Sequence, residues 1–71
     1  MPTITFKITE HIATLGTHSG GWTKELNKVS WNDGEPRYEI RDWNPEHTQC
    51  GKGSPMTDEE FKELVNVCKG M

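Results

Sequence analysis

Apolar and polar residues alternate through long stretches between Thr3 and Trp43, and only after Met56 does the period become helical. A repeat of two belongs to strands with one buried face, and a repeat near 3.6 belongs to a helix. Strands first and a helix last make an α+β chain. Thr3 to Ile8 sets Ile4, Phe6 and Ile8 on one face against Thr3, Thr5 and Lys7. Ala13 and Leu15 fall on the opposite parity, so a single bulge or tight turn near Glu10-His11 is expected. Gly16 to Gly21 reads as a loop.

Trp22 to Trp31 is the next strand, with Trp22, Lys24, Leu26 and Lys28 on one face and Thr23, Glu25, Asn27, Val29 and Trp31 on the other. Asn32-Asp33-Gly34-Glu35-Pro36 is a turn, because Asp-Gly tolerates positive φ and Pro36 cannot continue a ladder. In the strand Arg37–Trp43, Tyr38 and Ile40 point one way, and Arg37, Glu39, Arg41 and Trp43 the other. That second face is expected to meet a ligand. A polar loop opens at Asn44-Pro45 and ends at Gly51-Lys52-Gly53. Thr57 with Glu60 forms a capping box, and Met56 with Phe61 fits a hydrophobic staple. Phe61, Leu64, Val65 and Cys68 follow helical spacing, Asp58 to Glu60 suit the helix dipole, and Gly70 is a plausible stop.

Seventy-one residues make one domain, 1–71, which buries only about 60% of its unfolded surface. Its apolar content of 31% is low for an independent globule, so oligomerisation is the expected support. The helix would be marginal alone, and its stripe of Phe61, Leu64, Val65 and Cys68 is the expected dimer interface. Cys50 and Cys68 make no disulfide framework, nothing before Thr3 resembles a signal peptide, and no run is long and apolar enough for a membrane span. A cytoplasmic protein with reduced thiols is the economical expectation.

Chemistry is sparse. His47 and Cys50 form an H-x-x-C pair without complementary ligands, so no metal site is expected. Neither a triad, a nucleophile elbow nor a complete phosphate loop is present. Glu35, Glu39 and Asp42 read as solvated cross-strand partners of the arginines. Enzymatic activity, cofactors and a small-molecule substrate are therefore not expected.

All three tryptophans, Trp22, Trp31 and Trp43, lie among Lys24, Lys28, Arg37, Arg41 and Lys52. Flat rings interleaved with cations suit a protein that stacks bases and holds phosphates along a single strand. Core or interface burial of the same rings is the competing reading. The net charge of −3 opposes nucleic-acid binding, but residues 56–71 carry two lysines against four acids and account for most of it. Residues 1–34 balance to zero. Phosphate affinity follows the local face rather than the net charge.

The run K-E-L-N-K-V-S-W-N (Lys24–Asn32), then E-P-R-Y-E-I-R-D-W-N-P (Glu35–Pro45), then G-K-G (Gly51–Gly53) before the capped helix resembles the bacterial YdbC family. Its members are relatives of the eukaryotic transcriptional positive cofactor four domain, which binds single-stranded DNA. The resemblance covers nearly the whole chain. It implies a curved, four-stranded antiparallel sheet followed by one C-terminal helix, dimerised through helices and sheet. By position, it implies a phosphate-binding Arg41, a base-stacking Trp43 and a backbone-contacting Lys52, with Lys24 and Lys28 matching basic positions of the preceding strand. Ser54-Pro55-Met56 departs from the family's apolar last strand, which is therefore expected to be short or frayed. No counterpart of the regulatory extension of the eukaryotic proteins is expected.

The resulting expectation is a homodimeric, bacterial, cytoplasmic or nucleoid-associated protein that binds single-stranded DNA, or RNA, with little sequence specificity. Phosphate contacts from Lys24, Lys28, Arg37, Arg41 and Lys52 would combine with stacking on Trp43, Trp22 or Trp31. Transcription regulation, replication or repair is the setting. A protein-interaction module using the same Trp/Arg surface is the alternative, since both residues are enriched at interface hot spots.

Overall fold

The computed structural model describes residues 4–71. Four strands, β1 (Phe6–Thr17), β2 (Thr23–Trp31), β3 (Arg37–Trp43) and β4 (Cys50–Met56), precede one helix, α1 (Asp58–Lys69). The strands form an antiparallel meander in the order β1-β2-β3-β4. Strands followed by one terminal helix are the α+β order expected from the change of period.

β1 differs from expectation in detail. Thr3, assigned to this strand, lies outside the described residues, and the strand runs on through Gly16 and Thr17. Instead of one bulge near Glu10-His11, the register shifts three times, between Ile8 and Glu10, His11 and Ala13, and Thr14 and Gly16. Thr9, Ile12 and Leu15 are the residues passed over, and Ile12 and Leu15 lie exposed. Bulges bend a strand and sharpen its twist. Trp22 falls outside β2, after a short 3-10 turn at Ser19–Gly21.

The β2–β3 connection closes with Gly34 N–H donating to Trp31 O at 2.9 Å. Asn32 and Asp33 hold φ of 51° and 60°, so the left-handed pair sits one residue ahead of Asp-Gly. Two adjacent left-handed residues match the twist of the flanking strands. β4 contains Gly51-Lys52-Gly53, expected as loop, and runs through Pro55, which pairs opposite Glu39. An edge strand tolerates a residue without an N–H. In α1, Thr57 Oγ1 accepts from Glu60 N–H at 3.1 Å and Glu60 Oε1 accepts from Thr57 N–H at 2.8 Å, completing the capping box.

Parity along β2 and β3 separates two faces. The outer face carries Leu26, Lys28, Tyr38 and Ile40, and α1 meets it through Phe61, which stacks on Tyr38 with centroids 3.9 Å apart. The inner face holds the fully buried side chains Val29, Trp43, Asn27 and Glu39. Phe6 on β1 touches Trp31 at 5.5 Å and Trp43 at 5.1 Å, although these rings sit at opposite ends of the β2–β3 ladder. Eight residue steps span roughly 26 Å in a flat strand, so the sheet must curl over this face.

The molecule is flat, measuring 43 × 31 × 17 Å, with a radius of gyration of 13.0 Å. Compact chains of this length have about 11 Å. Its accessible surface of 5343 Å² exceeds the roughly 4,500 Å² usual for a monomer of this mass.

Candidate nucleic-acid interface

The inner face is built on charge. Glu39 is 1% exposed, and a carboxylate there must be compensated. Arg41 supplies two hydrogen bonds, Nε to Oε1 at 2.7 Å and Nη2 to Oε2 at 3.2 Å. Trp31 Nε1–H adds a third at 3.1 Å. The Arg41 Nη1 donates to Gly51 O at 2.7 Å, and its guanidinium lies 4.8 Å from the Trp31 ring centroid. The bonds to Glu39 hold Arg41 further above its ordinary pKa. Sequence logic placed Glu39 in solvent; the fold instead buries it against its neighbour two residues on.

A second buried carboxylate, Glu25, sits toward the other end. It accepts from Thr23 Oγ1 at 2.6 Å, Asn27 Nδ2 at 3.0 Å and His47 Nε2 at 2.8 Å, and His11 Nδ1 lies 3.4 Å away. Burial pushes its pKa up, but the bonds from Thr23, Asn27 and His47 outweigh that and hold it below the ordinary glutamate value. Asn44 delivers His47. Its Oδ1 accepts from Thr48 and Gln49 N–H at 2.8 and 2.9 Å, folding the loop so that His47, at φ 58°, stacks on Trp43.

The structure distributes the expected binding residues over two faces. Lys24 and Lys28 stand on the outer face, opposite Asp42 and Tyr38, and Lys28 Nζ lies 4.9 Å over the Tyr38 ring. Trp31 is half-buried on the inner face, while Arg37 and Lys52 are exposed. Trp22 is half-buried in the β1–β2 loop, next to Gly20. Two assignments need correction. Trp43 has no exposed surface, enclosed by Phe6 and His47, so its ring cannot take a base in this chain. Arg41 is committed to Glu39 and Gly51 O, which leaves it an internal cation rather than a free phosphate clamp. Of the expected interface residues, Phe61 is half-buried against Tyr38, and Leu64, Val65 and Cys68 lie open to solvent.

No family model matches the chain. A protein of Treponema pallidum (strain Nichols), described as uncharacterized, is 35% identical to it over 66 residues, covering 93% of this chain and 78% of the relative. The chain belongs to the family of that Treponema protein. The match is long enough to take in most of the sheet and helix together.

Two features of this family member escaped sequence reasoning. One is the role of Gly53, where a Cβ would fall 2.5 Å from Arg41 Cζ, so only glycine leaves room for the guanidinium. The spacing of I-R-x-W and G-K-G carried that signal without its reason. The other is the convergence of His11, Glu25 and His47, which are far apart in sequence and meet only because β1, β2 and the β3–β4 loop close on one another. No local pattern announces it. Among the described residues no cluster of three or more His, Cys, Asp or Glu side chains is arranged to hold a metal ion.

Proposed function

We propose that the protein is a homodimeric single-stranded-DNA-binding protein in which Trp31 is the principal stacking ring. The observation that carries this reading is the fixed, half-buried Trp31 indole, oriented by Glu39 and backed by Arg41 on a curled sheet face. A ring already held in place loses little entropy when a base stacks on it. Exposed Arg37 and Lys52 supply phosphate contacts, and Lys24 and Lys28 extend the cationic surface around the sheet. The resemblance to the YdbC family and the strand-strand-strand-strand-helix order point the same way. Bacterial cytoplasm, with exposed strands arising in transcription, replication or repair, is the setting that reading implies.

Dimerisation completes it. The excess of exposed surface is close to the roughly 800 Å² per partner that a standard interface covers. Leu64 and Val65 expose 38% and 37% of their surface on the last helix, beside exposed Cys68, an apolar stripe suited to a second copy.

Titration of labelled oligothymidine, followed by anisotropy, tests the proposal. Single strands should bind more tightly than duplex of the same sequence, since pairing hides the base faces. Trp31→Ala should cost about 1–3 kcal/mol of binding and leave the salt dependence intact. Arg37→Ala and Lys52→Ala should each flatten the slope of log affinity against log salt by about 0.7. Equal affinity for duplex and single strand would instead favour the protein-interaction module.

A further inference from the structure

A cavity of about 360 Å³ opens on the inner face, lined by Ile8, His11, Thr14, Glu25 and His47. Neither the stacking ring nor the exposed cations account for it. Its hydrogen-bonding character follows from Glu25. A carboxylate only accepts, so the Asn27 side chain must turn its NH₂ toward Glu25 and leave Oδ1 to accept from His11 Nδ1, at 2.7 Å. With Nδ1 donating, His11 Nε2 accepts from the Thr14 hydroxyl, 3.4 Å away, which leaves the Thr14 oxygen lone pairs facing the cavity. By the same logic His47 gives its Nε2–H to Glu25 and keeps Nδ1 as an acceptor. Glu25 itself is saturated by Thr23, Asn27 and His47 and acts by fixing both tautomers.

We infer that this cavity is a nucleobase pocket selective for bases with an exocyclic amine, built from the acceptor nitrogen of His47 and the Thr14 hydroxyl oxygen, whose proton is turned toward His11 Nε2. The inference rests on the single-strand-binding reading and adds a base preference to it. The cavity volume is in the range of small-ligand sites and has room for one base. Ile8 supplies apolar contact, and the His47 imidazole, stacked 5.8 Å from Trp43, supplies a braced flat ring. Cytosine N4 and adenine N6 present N–H donors to such acceptors. Thymine presents a carbonyl oxygen, O4, where cytosine carries its N4 amine, and the lone pairs of His47 Nδ1 and the Thr14 oxygen repel it.

Anisotropy titrations of oligo-dC and oligo-dT at pH 8, above the ordinary range of imidazole protonation, test this directly, because both are pyrimidines of similar stacking area. Oligo-dC should bind about fivefold more tightly, the scale of one hydrogen bond gained. An adenine oligomer should lose a similar factor when its bases are replaced by purine lacking the 6-amino group. In His47→Phe, which keeps a flat ring and removes the nitrogens, the dC-to-dT ratio should fall to one. Should that variant fail to fold, the adenine-to-purine comparison on the parent protein still decides. Equal affinity for dC and dT overturns the pocket and leaves single-strand binding standing. A ratio that persists in folded His47→Phe shows that the preference arises elsewhere and overturns the pocket as well. No binding to any oligomer overturns both this inference and the reading beneath it.

Discussion

Arg41 lies directly across Gly53, with its guanidinium carbon 2.5 Å from where a Cβ on that residue would stand. The contact joins β3 to the edge strand β4 and leaves Arg41 free to pair with Glu39 beneath it. Breaking one half of a buried ion pair costs about 3–5 kcal/mol because the other charge stays buried.

Gly53→Ala should therefore act through Arg41. The added methyl displaces the guanidinium, weakens its bonds to Glu39 and Gly51 O, and destabilises the fold by about 2–3 kcal/mol. Arg41→Ala should cost more. In the double variant the glycine substitution should add almost nothing, since the side chain it displaces is already gone. Urea unfolding of the four proteins measures this coupling, and additive losses would show that Gly53 matters for some other reason.

The tryptophans should separate into a structural and a binding residue. Trp43→Ala removes a fully buried ring and should cost about 3–5 kcal/mol of stability. Trp43→Phe should cost less, because Trp43 Nε1 has no hydrogen-bond partner among the described residues. Trp31→Ala should destabilise less than Trp43→Ala, since Glu39 keeps Arg41, and should lower oligonucleotide affinity in a protein that remains folded. Thermal melts paired with titrations distinguish the two roles. Normal binding by Trp31→Ala would remove the stacking assignment.

Alternation sorted β3 into its two faces correctly, Tyr38 and Ile40 against Glu39, Arg41 and Trp43, because side-chain direction follows from strand geometry alone. It misjudged which face is covered. Glu39 and Arg41 read as part of a wet, ligand-facing surface, yet the sheet buries most of it by pairing each charge within the same molecule. Pairing depends on tertiary distance, which a period does not encode. The helix was legible down to its cap, since Thr57 and Glu60 are three residues apart and need no distant partner. β4 was obscured by its glycines, which weaken a strand by propensity, although Gly53 is required here by the Arg41 side chain. The three shifts in β1 arise against β2, and only one was visible in β1's own pattern. The acceptor cavity was invisible, because His11, Glu25 and His47 come from separate segments.

Acid should undo the Glu25 cluster. Its folded pKa is depressed, so its stabilising contribution is present above the ordinary glutamate value of the unfolded chain and is lost as pH falls through the lower folded value. Melting temperature should accordingly drop as pH falls below the ordinary glutamate range of about 4.3. Glu25→Gln should be less stable at neutral pH by about 1–3 kcal/mol, because its NH₂ faces donors that expect an acceptor. It should also show a shallower acid transition. An acid profile identical to the parent's would place the acid-sensitive groups elsewhere.

Leu64 tests the assembly. In a single chain its side chain is 38% exposed, so shortening it to alanine should cost little beyond a small loss of contact. In a dimer sealed by this helix face the same change creates a cavity and costs about 2–5 kcal/mol. The loss would appear as dissociation, because folding and association are linked when the interface covers a marginal core. Sedimentation at micromolar concentration should give a dimeric mass for the parent and a lower mass for Leu64→Asp, in which a charge meets the apolar stripe. The capping box of Thr57 and Glu60 is untouched, so the circular-dichroism signal of α1 should largely persist. The parent's melting temperature should rise with protein concentration, and that of Leu64→Asp should not. A parent that sediments as a monomer and melts at one temperature at every concentration would leave the stripe open and the dimer without support.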